Sequence, residues 1–164
     1  MRSALVLTVS DGVAAGTRHD ESGTALAERL GALGFGVERN VVADEEEAIG
    51  RVVRDASGRF DLLIATGGTG LGPRDRTPQA LEALLDYEVS GFGEQMRAYG
   101  RTRTPMADLS RSLGGVLRST LVVAVPGSVN GALDSLAALE PILDHALETL
   151  GGHTRHATTE TGTG

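Results

Sequence analysis

Asp61-Leu-Leu-Ile-Ala-Thr66-Gly67-Gly68-Thr69-Gly70-Leu71-Gly72-Pro73-Arg74-Asp75-Arg76-Thr77-Pro78 decides how this chain is read. Its first six residues make a short, nearly continuous apolar run, the pattern of a strand covered on both faces. Thr77-Pro78 then places a hydroxyl at a helix cap and proline at the first helical position, with Leu81, Leu84 and Leu85 as the apolar face that follows. The glycines between strand and helix therefore fall at the C-terminal rim of a sheet, where doubly wound folds bind ligands. Side-chain-free residues there let backbone amides approach a phosphate, and Thr66 and Thr69 add hydroxyl donors. Gly68, Gly70 and Gly72 are evenly spaced and do not form G-x-G-x-x-G. Glycines in such a turn also serve plain turn geometry, so composition alone leaves both readings standing.

Working outward, Ala4–Val9 and Thr120–Val125 repeat the buried-strand pattern, and Gly36–Val42 is a weaker fourth candidate. Ser22 is placed to cap a helix whose Leu26, Leu30 and Leu33 share a face ending at Gly34. Asp44 and Glu47 form an acidic capping box leading into Ile49, Val52, Val53 and Ala56, with Gly58 as the stop. Leu133, Leu136, Leu139, Leu143, Leu147 and Leu150 mark the last helical stretch, with a kink or restart expected at Pro141. Within the mixed segment Tyr87–Ser119, Glu94–Tyr99 reads as helix, and Gly115–Ser119 is expected to pair with Thr120–Val125 as a hairpin. The alternation predicts an α/β fold, a three-layer α-β-α domain with a mostly parallel sheet over residues 1–150. The polar stretch 151–164 is expected to be a disordered tail.

Composition narrows the chemistry. The chain has 164 residues, a net charge of −7, no cysteine and no tryptophan, and each of its 15 basic residues is arginine. Without lysine there is no Walker-A loop and no Schiff base; without cysteine there is no thiolate nucleophile or thiolate zinc site. Carboxylate, hydroxyl, histidine, arginine and backbone chemistry remain. The length suits a single domain, which buries roughly 70% of its unfolded surface. An acidic chain without a basic stripe is a poor nucleic-acid binder, and no apolar run reaches the ~20 residues of a membrane span. Met1–Leu7 reads as strand and not as a signal peptide, so a cytoplasmic location is expected.

Three carboxylates fall at strand ends: Asp11 beside Ser10, Asp44, and Asp75 after the glycine loop. Such a set suits Mg²⁺-assisted phosphoryl chemistry. Asp75 is also flanked by Arg74 and Arg76, which could simply neutralise it, and spacing does not separate the two readings. Asp44 favours a helix cap, because Asp44–Glu47 complements a helix dipole. Pro126-Gly127-Ser128 follows a buried strand; a turn plus a cap for the last helix is its favoured reading, with a hydroxyl and free amides aimed at the crevice as the functional one. Leu109-Ser110-Arg111 is a further loop candidate. Arg97, Arg101 and Arg103 favour a solvated loop over an anion clamp, and His19, His145, His153 and His156 show no metal spacing.

These residues together resemble the MogA/MoaB family of molybdenum cofactor biosynthesis. The resemblance runs from Leu5 to Leu150 and rests on Thr8-Val9-Ser10-Asp11, Asp20-Glu21-Ser22-Gly23, Val42-Ala43-Asp44, Thr66–Gly70 with Arg74–Pro78, Leu109-Ser110-Arg111 and Pro126-Gly127-Ser128. The glycine loop joined to R-D-x-T-P is its most specific element. The resemblance implies a molybdopterin adenylyltransferase: Mg-ATP and molybdopterin yield adenylyl-molybdopterin and pyrophosphate. It implies Asp44 and Asp75 as catalytic carboxylates holding Mg²⁺. Ser10, Asp11, Thr66, Gly67, Gly68, Thr69, Gly70, Thr77, Ser110, Arg111, Pro126, Gly127 and Ser128 are implied around ATP and molybdopterin. A homotrimer, or a hexamer in the MoaB branch, is implied, with hand-over to a molybdenum-inserting partner. The alternative within the family is a non-catalytic molybdopterin-binding protein of MoaB type; a CinA-type regulatory domain fits a single-domain length less well. The sequence departs at Val129-Asn130, where many relatives continue P-G-S-P-K, so an anion there has to rely on arginine and backbone donors.

Overall fold

The computed structural model describes residues 1–152. In chain order, β1 (Ser3–Val9) leads through the single-turn α1 (Asp11–Ala14) into α2 (Glu21–Ala32) and β2 (Gly36–Val42). Next come α3 (Glu46–Ala56), β3 (Leu62–Thr66), α4 (Thr77–Glu82), the two-residue β4 (Tyr87–Glu88) and α5 (Ser90–Arg101). A 3₁₀ turn (Pro105–Leu109), β5 (Leu113–Leu117), β6 (Thr120–Val125) and α6 (Val129–Leu150) complete the fold. The six strands form one sheet in the order β2-β1-β3-β6-β5-β4, with β2, β1, β3 and β6 parallel and β5 and β4 antiparallel at one edge.

Alternation along the strands separates two cores. Ala4, Val6, Leu62, Ile64, Leu121 and Val123 face α2, α5 and α6, meeting Leu26, Leu30, Phe92, Leu136, Leu139 and Leu143. Leu5, Leu7, Leu63, Ala65, Val122 and Ala124 face the other way onto Ile49 and Val53 of α3 and Leu81 of α4. Both faces of the central strands are buried, which is why they read as continuous apolar runs. β2 is an edge strand, and its exposed Glu38, Arg39 and Asn40 both weaken its apolar signal and guard the edge. The expected three-layer α-β-α domain is the fold observed. No helix among the described residues is long and apolar enough to cross a membrane.

The chain turns one way from β1 to β2 and the other way to β3, so the sheet's switch point lies between β1 and β3. Ligands of open α/β sheets bind outside the carboxyl ends of strands at such a point. Ser10–Asp11 and Gly67–Gly72 begin there, and Pro126–Ser128 follows the adjacent β6.

Several local expectations are corrected. Asp20, not Ser22, caps α2 by accepting from Gly23 N at 3.0 Å; Ser22 is buried, its Oγ 3.1 Å from Thr66 Oγ1. Glu45 stands at the N-cap of α3 without a side-chain bond, so the capping box of Asp44 and Glu47 does not form. Thr77 is the first residue of α4 and not its cap; its hydroxyl donates to Gly67 O at 2.8 Å. α6 continues through Pro141, so the restart does not occur, because Leu136, Leu139, Leu143 and Leu147 hold both halves to one core. That packing outweighs the ~3 kcal/mol that an interior proline costs. The hairpin forms two residues earlier than expected, with β5 antiparallel to β6 and Arg118 taking a left-handed turn at φ 54°. The expected disorder of the tail lies, beyond Gly152, outside the described residues.

Candidate functional site

The ends of β1 and β2 are latched by two carboxylates. Asp11 N donates to Asp44 Oδ2 at 2.9 Å, and Asp44 N donates to Asp11 Oδ1 at 3.0 Å. Arg74 then binds both oxygens of Asp11, at 3.0 and 2.9 Å. This guanidinium, with the Asp44 amide, holds the Asp11 carboxyl below its ordinary value. Asp44 goes the other way: burial pushes its carboxyl up, and the negative neighbours Asp11 and Asp75 add to the rise against the amide bond that opposes it. Asp11 is a paired structural anion. Asp44 is an anion short of positive charge.

The loop after β3 is held from three sides. Gly67 N donates to Val125 O at 3.0 Å, Thr77 binds the carbonyls of Gly67 and Gly68, and Arg111 N donates to Thr69 O at 2.9 Å. Gly67 and Gly68 adopt φ of 105° and 71°. A Cβ on Gly67 would lie 2.2 Å from Val9 O, and one on Gly68 would lie 2.3 Å from Thr77 Oγ1 and 3.4 Å from Asp44 Oδ1. Only glycine satisfies both the dihedrals and the space. Asp75 Oδ2 accepts from Gly72 N at 2.8 Å, which closes the loop on its own carboxylate. Among the described residues, the amides of Gly68, Thr69 and Gly70 donate to no protein acceptor.

Two cavities open on either side of this loop. The first, about 660 Å³, is walled by Thr8, Ser10, Asp20, Asp44, Thr66, Gly67 and Asn130 among others and is largely polar. The second, about 460 Å³, adds Thr69, Gly70, Ser110 and Pro126 to the less polar Met96, Met106, Ala107 and Leu109. Gly68, Asp75, Gly127 and Ser128 line both. The two cavities therefore adjoin at Asp75 and at the start of α6.

The residues expected to share one pocket are distributed with more structure than the sequence implies. Ser10 caps α1, accepting from Val13 N, and Ser128 caps α6, accepting from Gly131 N at 3.1 Å; each also lines a cavity. Thr66 Oγ1 donates to Pro126 O at 2.9 Å and ties the β3 end to the β6 end. Asp11, Thr77 and Arg111 line neither cavity. The Arg111 guanidinium instead donates to Gly70 O at 2.9 and 2.7 Å and to Asp75 O at 2.8 Å, clamping both ends of the loop. Arg97, read as solvated, lines the second cavity and donates to Ser112 O at 2.7 Å. Sequence reasoning missed Arg18 and His19 of the polar cavity and Met96 and Met106 of the other, which carry no motif that marks them.

No cluster of three or more metal-ligating side chains occurs among the described residues. The expected trio reduces to two, because Arg74 occupies Asp11. Asp44 and Asp75 suit a hard cation held by one or two carboxylates plus substrate oxygens.

Residues 5–145 match the family model described as a probable molybdopterin binding domain. The chain belongs to this family, within its MogA/MoaB group. It is 42% identical over 151 residues to the molybdenum cofactor biosynthesis bifunctional protein of Synechococcus elongatus, covering 91% of this chain and 47% of that one. The chain thus spans about half the length of the bifunctional relatives it matches. It is 33% identical over 155 residues to the molybdopterin adenylyltransferase of Helicobacter pylori, covering 90% and 87%. The crystal structure of the molybdopterin biosynthesis enzyme MoaB from Thermus thermophilus superposes with a TM-score of 0.87 at 45% identity, covering 93% and 98%.

Proposed function

We propose that this member of a molybdenum cofactor biosynthesis family transfers the adenylyl group of Mg-ATP to molybdopterin and releases pyrophosphate. The observation that carries the reading is the pair of adjoining cavities with Asp75, Gly68, Gly127 and Ser128 common to both. A transfer between two substrates needs two sites meeting at the reacting atoms; storage of one ligand needs a single site. Molybdopterin adenylyltransferases among the relatives support the same activity.

In the reaction an oxygen of the molybdopterin phosphate forms a bond to the α-phosphorus of ATP. The bond from that phosphorus to the α,β-bridging oxygen breaks, and its electron pair leaves with pyrophosphate. The protein's part is to position two anions and to offset charge at the α-phosphate. The free amides of Gly68, Thr69 and Gly70, together with the N-terminal end of the 22-residue α6, supply fixed positive partial charge there. That end of α6 is the backbone source of charge beside Asn130, where many relatives carry lysine. Asp44 and Asp75 would hold Mg²⁺, which when bound neutralises phosphate charge. Arg111 keeps Asp75 in place through the backbone.

The test is pyrophosphate release from Mg-ATP with and without molybdopterin. Release that depends on molybdopterin supports the transferase. Tight molybdopterin binding without turnover would assign the chain to the binding-only alternative.

A further inference from the structure

The polar cavity carries a cation that the catalytic reading leaves unused. Arg18 follows α1 and, with His19, supplies the basic side chains of that cavity, alongside Asp20, Glu21, Asp44 and Asp75. Its segment is fixed: Gly12 O accepts from Arg18 N at 3.2 Å and from the amide and hydroxyl of Thr17 at 2.9 and 3.1 Å. The aliphatic stem lies against Gly12, where a Cβ would come within 2.7 Å of Arg18 Cδ. A side chain on α1 would push the stem away, so glycine sets its course.

Arg18, exposed where it lines the cavity, donates its guanidinium to no protein acceptor among the described residues, and nearby carboxylates carry other arginines. Asp20 accepts from Arg39 at 2.7 Å and from Thr8 Oγ1 at 2.9 Å, and Asp11 is bound by Arg74. In the adjoining cavity the basic residue Arg97 is spent on the carbonyls of Ser110 and Ser112. Asn130, in the same cavity as Arg18, contributes no charge. A forked cation held on a fixed stem at a polar cavity is suited to a phosphate oxyanion.

Resting on the adenylyl-transfer reading, we infer that Arg18 binds the pyrophosphoryl end of the nucleotide and sets the affinity for the triphosphate and for the leaving pyrophosphate. The phosphate of the pterin offers the same chemistry, and the experiment separates the two sources. Calorimetry on the full chain measures inorganic pyrophosphate, Mg-ATP, AMP and molybdopterin against wild type, Arg18→Met and Arg18→Lys, with thermal melts confirming that the variants fold. Arg18→Met keeps most of the stem and loses the charge. It is expected to weaken pyrophosphate and Mg-ATP about tenfold or more, the scale of a charge-assisted hydrogen bond, and to leave AMP and molybdopterin unchanged. Arg18→Lys is expected to recover part of the loss.

Unchanged pyrophosphate affinity in Arg18→Met, or a loss confined to molybdopterin, would overturn the assignment of Arg18. Wild-type chain that binds pyrophosphate through Arg18 yet binds no Mg-ATP would instead remove the adenylyl-transfer reading. The two failures are therefore distinguishable.

Discussion

Asp11 and Asp44 accept hydrogen bonds from each other's backbone amides, at 2.9 and 3.0 Å, and so lock the ends of two adjacent parallel strands together. The pair is unequal. Arg74 neutralises Asp11, while Asp44 is left half-buried beside a second negative neighbour, Asp75. One carboxylate closes the scaffold, and the other is available to a ligand.

A pH dependence follows from that inequality. The folded state raises the Asp44 pKa above its ordinary value of 3.8, so it favours the protonated form. The associated stability is present below the unfolded pKa and is lost as pH rises through the folded one. Asp44→Asn is therefore expected to melt at or above the wild-type temperature at pH 7 without Mg²⁺. The advantage should shrink as pH falls toward 4. Asp11 has the opposite sign, its stabilising pair with Arg74 being lost as pH falls. Thermal melts across about pH 3–8 check both.

Gly68→Ala is expected to destabilise the fold by about 1–3 kcal/mol, from the left-handed dihedral alone. The methyl group would also meet Thr77 Oγ1 at 2.3 Å, displacing the residue that fixes the loop. Denaturant unfolding reads the stability loss, and the pyrophosphate assay should show a fall in kcat larger than that loss of folded protein explains.

Arg111→Met would strip hydrogen bonds from the Gly70 and Asp75 carbonyls. The expected cost is about 1–3 kcal/mol of stability, with kcat falling more than KM for ATP rises, because Arg111 positions Asp75 without lining either cavity. Arg111→Lys should rescue little, since one ammonium does not reproduce the planar fork. Unfolding and steady-state kinetics on both variants measure this.

Assembly is a separate expectation. The family resemblance implies a homotrimer or hexamer, and light scattering on the eluting peak from size exclusion should give three or six times the 17.0 kDa chain mass. A monomer would contradict that part of the account.

The strand–loop–helix at 61–78 was legible because each signal in it is local: an apolar run, glycines, then proline at a helix start. Asp44 was harder to place. A carboxylate before a helix has the same sequence signature whether it caps that helix or, as here, turns back to the amide of Asp11 thirty-three residues earlier. Arg111 and Arg97 read as pocket or solvent residues because nothing local shows that loop carbonyls, and not anions, await them. The continuation of α6 past Pro141 was hidden for a similar reason, since the packing of leucines on either side decides whether the helix restarts there. The division into two cavities depends on how α5, the 3₁₀ turn and α6 pack against the loop, and no motif encodes it.

The central claim is that Asp75, at the junction of the two cavities, serves the transfer itself. Pyrophosphate release from Mg-ATP in the presence of molybdopterin, compared between wild type and Asp75→Asn, tests it most directly. The carboxamide introduced by that substitution keeps an acceptor oxygen for Gly72 N and so preserves the loop. Wild type is expected to release pyrophosphate only with molybdopterin, and the variant to lose at least about a hundredfold of that rate at an unchanged melting temperature. Equal turnover by the two proteins would contradict it.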